Sequence, residues 1–126
     1  MLCWREEGWY KTIKTFREKC VSSWDKDTAY PGSLKYNPLN SESRGQCYVT
    51  ALAVMMSFGG KLVRGITHEE THYWNKFTGG IEIDLTSDQF GGNGIHPVSA
   101  SEIKEVSPNF DNKRFLMLWN RIKSKY

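Results

Sequence analysis

Cysteine is scarce in this sequence and its spacing is uninformative as a scaffold: Cys3, Cys20 and Cys47 are odd in number and form no CxxC pair. That argues against a disulfide framework and fits a reducing compartment. No stretch reaches the roughly 20 apolar residues needed to cross a bilayer. Arg5, Glu6 and Glu7 interrupt the segment where a secretory signal needs a continuous apolar run. The expected setting is therefore cytoplasmic, with no membrane partner. A groove-reading motif is also missing. The formal charge of +3 comes largely from Lys113, Arg114, Arg121, Lys123 and Lys125 near the end of the chain. A basic helix end of this kind complements the helix dipole, so nucleic acid is not an expected partner. Gly91-Gly92-Asn93-Gly94 lacks the strand and helix context of a phosphate-binding loop, and no cofactor is implied.

What is present suffices for one packed domain over residues 1–126: 39% hydrophobic residues with five Trp, six Tyr and six Phe. Trp9, Ile13, Phe16 and Cys20 recur at helical spacing and predict an amphipathic N-terminal helix, with Cys20 as a small buried hydrophobe on its apolar stripe. Periodicity then stops from about 22 to 43. Pro31, Gly32 and Pro38 punctuate an irregular connection whose Trp24, Tyr30 and Tyr36 are suited to pack over a cleft. Cys47, Ala51, Val54 and Phe58 form the next helical stripe, ended by Gly59-Gly60. Leu62-Val63 reads as a short strand. His72–Phe77 and Ile81–Leu85 flank Thr78-Gly79-Gly80 as a hairpin, with Ile81, Ile83 and Leu85 on one face and Glu82 and Asp84 on the other. Gly91–Gly94 begins a flexible loop ending near Pro97, and Phe115, Leu118, Trp119 and Ile122 predict a closing helix. The fold class is α+β: a central helix on a small antiparallel sheet, with flanking N- and C-terminal helices.

Chemistry concentrates in three residues. Cys47 opens a helix, and His72 and Asp84 follow on neighbouring strands. A thiol attacks as thiolate, a form favoured by a helix N-terminus and by an adjacent imidazolium. A carboxylate on the far side of the imidazole fixes its tautomer and orientation. Cys47 would be nucleophile, His72 general base and then general acid, and Asp84 the orienting group. The Cys47 backbone N–H can donate to an oxyanion, and Gln46 is a candidate second donor through its side-chain amide. The alternative for Cys47 is plain burial on its apolar stripe.

Two other readings use the same residues. His68-Glu69-Glu70-Thr71-His72 fits HExxH, the pattern in which two His one helical turn apart bind zinc, with His96 or Asp84 as third ligand. It requires a helix through His72, whereas the aromatic residues and Gly-Gly turn that follow suit a strand. A non-catalytic protein that sequesters a small molecule or a partner protein in the same cleft is the second. Trp74 shares a strand face with His72, and Arg64 reads as a surface residue, with an acid-selecting place in the cleft as its alternative.

The segment from His72-Tyr73-Trp74 to Ile83-Asp84-Leu85-Thr86 is similar to the transglutaminase-type pattern, in which His begins one strand and Asp ends the next. Ser43-Arg44-Gly45-Gln46-Cys47 with Val49-Thr50-Ala51-Leu52, His72-Tyr73-Trp74-Asn75, and Asp84-Leu85-Thr86 with Gln89-Phe90 resemble the bacterial and phage YunG-like proteins, from about Trp24 to Phe90. The resemblance implies a papain-like or transglutaminase-like core and a Cys47-His72-Asp84 triad. It departs from papain-like enzymes at Gln46, which is adjacent to the Cys rather than several residues upstream, where Ser41 stands instead. The expected activity is acyl transfer at an amide, thioester or isopeptide bond of a protein, peptide or small amide or ester substrate. Water as acceptor gives a hydrolase or deamidase, and an amine gives a transferase.

Overall fold

The computed structural model describes residues 4–31 and 43–126. Cys3 and about half of the predicted irregular connection, with Tyr36, Pro38 and Ser41, lie outside the described residues. Among the described residues the chain is α+β, with three α-helices and one four-stranded antiparallel sheet.

The predicted stripe of the first helix, α1 (Trp4–Val21), is buried at Ile13, Phe16 and Cys20. The second helix, α2 (Cys47–Phe58), differs from an amphipathic helix. Every residue from Val49 to Val54 is buried, which makes it a core helix rather than a surface one. It packs on the sheet on one side and on α3 (Lys113–Lys123) on another. Gly59 stops it at φ 79°, its N–H donating to the Met55 carbonyl. Phe115, Leu118 and Ile122 of α3 complete the core, and the Asn112 side chain caps that helix by accepting the Phe115 N–H at 2.9 Å.

The sheet runs in the order β3-β2-β1-β4. Its strands are β1 (Lys61–Thr67), β2 (Glu70–Lys76), β3 (Glu82–Ile83) and β4 (Ser101–Val106). The turn at 78–80 joins β2 to β3 as expected, closed by Phe77 N–H on the Ile81 carbonyl at 2.7 Å. Ile83 and Leu85 are buried, but Ile81 is half-exposed at the turn and Asp84 is buried despite its charge.

One strand went unpredicted and one expectation needs correction. β4 carries no alternating pattern because Ser101 to Glu105 are all exposed; it is an edge strand held to β1 by backbone pairing, so its side chains carry no burial signal. The loop after Phe90 is pinned rather than free. Gly94 N–H donates to Ser87 Oγ, Asn93 Oδ1 accepts the Ile95 and His96 amides, and the Ile95 carbonyl accepts Asp84 N–H at 2.8 Å. No helix among the described residues is long and apolar enough to cross a membrane.

Gly65, at the irregularity where β4 leaves register with β1, leaves room for the Trp74 ring: a Cβ there meets Trp74 Cη2 at 2.7 Å and the Ser101 carbonyl oxygen at 3.1 Å. Gly65→Ala is expected to destabilise the protein by about 1–3 kcal/mol, the usual cost of overpacking. Urea unfolding of the variant checks it; an unchanged midpoint contradicts it.

Candidate active site

Asp84 leaves β3 and turns back on itself. Its Oδ1 accepts both the Thr86 N–H and the Thr86 hydroxyl at 3.1 Å, an Asx-type turn that fixes the carboxylate. The other oxygen, Oδ2, lies 2.5 Å from His72 Nε2. Both residues are sealed from solvent, His72 at 1% and Asp84 at 2% exposure. The segment behind them is braced by α1, where Arg17 donates to the Leu85 carbonyl at 3.0 Å and pairs with Asp88 at 3.3 Å.

The imidazole is held by rings. Trp74 stacks on it at 5.8 Å between centroids and 24° between planes, and Phe90 meets it edge-on at 4.8 Å. Trp74 thus takes the position beside His72 that strand alternation predicts, and its indole N–H donates to Glu82 at 2.9 Å. Nε2 is committed to Asp84, while Nδ1 is buried without a hydrogen-bond partner of ordinary geometry. Burial alone disfavours the charged ring, but the Asp84 hydrogen bond and the nearby Cys47 thiol outweigh it and push His72 up to about 10. The shift favours the charged ring, and Nδ1 is the nitrogen that Asp84 leaves uncommitted.

Cys47 is half-exposed at the first position of α2, where no side chain caps the helix, so its early amides have no intrahelical partner. Burial pushes the other described thiol, Cys20, far up, consistent with its place in the core. Cys47 opens on a cavity of about 750 Å³ whose walls include Tyr48 and Tyr73, in edge contact at 4.8 Å, and Tyr30 from the irregular connection. Trp24, also from that connection, instead holds α2 by donating to Thr50 Oγ1 at 2.8 Å, as does Asn75 of β2 by donating to the Ala51 carbonyl at 2.9 Å.

The Gln46 side-chain amide is committed to other partners and does not line the cavity. Its Nε2 donates to the Asp25 carbonyl at 2.9 Å, its Oε1 accepts the Thr28 hydroxyl at 2.8 Å, and the side chain is buried against the 25–28 turn. It ties that turn to the start of α2, which makes it a positioning residue. The HExxH reading also fails on geometry. His68 and Glu69 form the tight turn between β1 and β2, at φ 49° and 66°, so no helical face brings His68 and His72 together. Among the described residues no three His, Cys, Asp or Glu side chains gather as a metal site. Glu70 instead forms a two-pronged ion pair with Arg44, at 2.9 and 2.5 Å, joining the 43–45 turn to the hairpin. Arg64, read from sequence as a surface residue, is half-buried and lines the cavity. Arg44, Glu70 and Arg114 carry no sequence signal as site residues: each looks like a solvated charge until the fold brings them to one cavity.

A model of the YunG protein family matches residues 12–126. A Bacillus subtilis (strain 168) relative, the "Uncharacterized protein YunG", is 42% identical over 48 residues, a stretch covering 38% of this chain and 41% of the relative. The match thus spans less than half the length of that relative. No solved structure matches the chain significantly. With the family pattern running from within α1 through the Cys47 helix, the His72 strand, the Asp84 turn and α3, this chain belongs to the YunG family.

Proposed function

We propose that this protein is a cysteine-nucleophile acyl-transfer enzyme on a papain-like or transglutaminase-like core, acting on an amide, thioester or isopeptide bond through Cys47, His72 and Asp84. One observation carries the reading. A buried imidazole is clamped by Asp84 through Nε2, its Nδ1 has no other partner, and a cysteine at an uncapped helix start acts on the same ring from the mouth of a cavity.

Cys47 Sγ attacks the acyl carbon, and the carbonyl π electrons move to oxygen, stabilised there by the Cys47 backbone N–H. On collapse the bond to the leaving group breaks, and His72 Nδ1–H gives that group its proton. The acceptor, water or an amine, then attacks the acyl-enzyme, gives a proton to His72, and the Cys47 thiolate leaves. Because His72 is lifted to about 10, it begins the cycle as the acid. Its role as base falls in the second half-reaction. Asp84 accepts the Nε2–H throughout and keeps Nδ1 turned to the thiol.

The test is alkylation of Cys47 by iodoacetamide at about pH 6, where an ordinary thiol is almost wholly protonated. Rates are normalised to N-acetylcysteine and followed by peptide mass spectrometry. Labelling of Cys47 should exceed the model thiol several-fold and collapse in His72→Ala. A Cys47 no faster than N-acetylcysteine, or indifferent to loss of His72, contradicts the proposal. A second reading, a binding protein on the same scaffold, is favoured by the Gln46 amide being tied away from the cavity, which leaves one evident oxyanion donor. Turnover-free binding of a substrate mimic that survives Cys47→Ala without any covalent adduct in the wild type selects that reading.

A further inference from the structure

Among the described residues the cavity at Cys47 is lined by three arginines, Arg44, Arg64 and Arg114, and by one acidic residue, Glu70. Glu70 is fully engaged by Arg44. Neither Arg64 nor Arg114 has an ion pair among the described residues. Arg64 is placed by β1, directly opposite Tyr73 in the register with β2, so its half-buried side chain stands on the cavity side beside that ring. Arg114 comes from the first turn of α3 and lines the same cavity, and its guanidinium rests on the Tyr30 ring at 5.5 Å. Its Nη1 is buried and has no hydrogen-bond partner, and the same is true of Arg44 Nε. Buried donors nearly always find an acceptor. Among the described residues these two positive charges and the orphaned donor, facing a chamber large enough for a substrate, have no paired anion.

We propose that Arg64 and Arg114 form an anion subsite, so that the acyl compound reacting at Cys47 carries a negatively charged group, a carboxylate or a phosphate, bound across the cavity from the thiol. Arg44, held flat by Glu70, supplies Nε as a further donor. The tyrosine rings accept the uncharged span between the anion and the reacting carbon. This rests on the Cys47 nucleophile reading for the chemistry, but the subsite itself depends only on the arginines.

The test uses iodoacetamides of matched length: N-iodoacetyl-β-alanine and N-iodoacetyl-phosphoethanolamine as anionic probes, N-propyl-iodoacetamide as the neutral one. In wild type an anionic probe should label Cys47 about tenfold or more faster than the neutral probe, the factor expected of charge-assisted hydrogen bonds. Whichever anion gains more identifies the headgroup. The ratio should fall to near one in Arg64→Gln with Arg114→Gln, and persist in Lys113→Gln, which removes an exposed charge next to Arg114 in the chain. A wild-type ratio near one, or a ratio the double variant retains, overturns the proposal. Should Cys47 prove unreactive even to the neutral probe, the nucleophile reading fails separately. Glutarate and inorganic phosphate then read the subsite by thermal shift: stabilisation of the wild type that the double variant loses supports it, and no stabilisation overturns it.

Discussion

Asp84→Ala is expected to destabilise the protein by about 3–5 kcal/mol, the cost of breaking a buried charged pair by removing one partner. Three donors lose their acceptor at once: His72 Nε2–H, the Thr86 N–H and the Thr86 hydroxyl. None can turn to water, because His72, Asp84 and Thr86 are all buried. Against a typical domain stability of about 5–15 kcal/mol, the variant remains foldable but marginal. Asp84→Asn separates structure from chemistry. Its carbonyl can still accept from Thr86, so the stability cost is smaller, while the amide presents no negative charge to the imidazolium. In that variant Cys47 alkylation at about pH 6 should fall towards the His72→Ala level even though the fold is retained. Urea unfolding and the alkylation assay together check both halves. An Asp84→Ala protein within about 1 kcal/mol of wild type contradicts the burial argument, and an Asp84→Asn protein with wild-type labelling contradicts the orienting role.

The first and last helices were legible because their apolar residues repeat at helical spacing against charged neighbours, and α2 because its apolar run ends at Gly59-Gly60; Ile13, Phe16 and Cys20, and Phe115, Leu118 and Ile122, are buried as that spacing requires. The His72 strand and the hairpin turn were legible from aromatic residues before a Gly-Gly turn, whereas the expected Ile81–Leu85 strand is only Glu82–Ile83, with Asp84 just past its end. What failed to show has a common physical cause. β4 has no buried face to alternate, and Gln46, Arg44, Glu70 and Arg114 are polar residues whose partners lie far along the chain: 18 positions for Gln46 and Thr28, 26 for Arg44 and Glu70, and 84 (114−30) for Arg114 and Tyr30. Spacing in sequence encodes contacts within an element, whereas these depend on how α2, the β1–β2 hairpin and α3 come together. One local signal was available and informative: Asp84-Leu85-Thr86 is a sequence suited to an Asx turn, and that turn is what aims the carboxylate.

The proton count of the Cys47–His72 pair should be readable as a slope of stability against pH. For His72 the sign is fixed: its pKa is raised in the folded state to about 10, against about 6.5 in an unfolded chain. The stabilisation is therefore complete below about pH 6.5 and is lost as pH rises towards the folded value. Cys47→Ala isolates this effect, since Asp84 still holds Nε2 and no thiol shares the proton. Its window ends below 10, because the thiol's contribution to the upward shift is gone. Between pH 6.5 and 8 this variant should lose up to about 1.4 kcal/mol per pH unit, on the order of 2 kcal/mol in all. The proposed nucleophile reading requires a thiolate–imidazolium pair in the wild type, which would hold one proton, the same number as a protonated thiol and a neutral imidazole in the unfolded chain. Its stability should be nearly flat across that interval. Buried Cys20 stays protonated in the folded state, and its unfolded thiol ionises only near about pH 8.5, so it leaves this window undisturbed. Urea titrations at pH 6.5, 7.25 and 8 on both proteins make the comparison. A falling variant and a flat wild type place one proton on the pair and none on sulfur. Parallel slopes mean that Cys47 keeps its proton, and with it the reading of Cys47 as a ready nucleophile is lost.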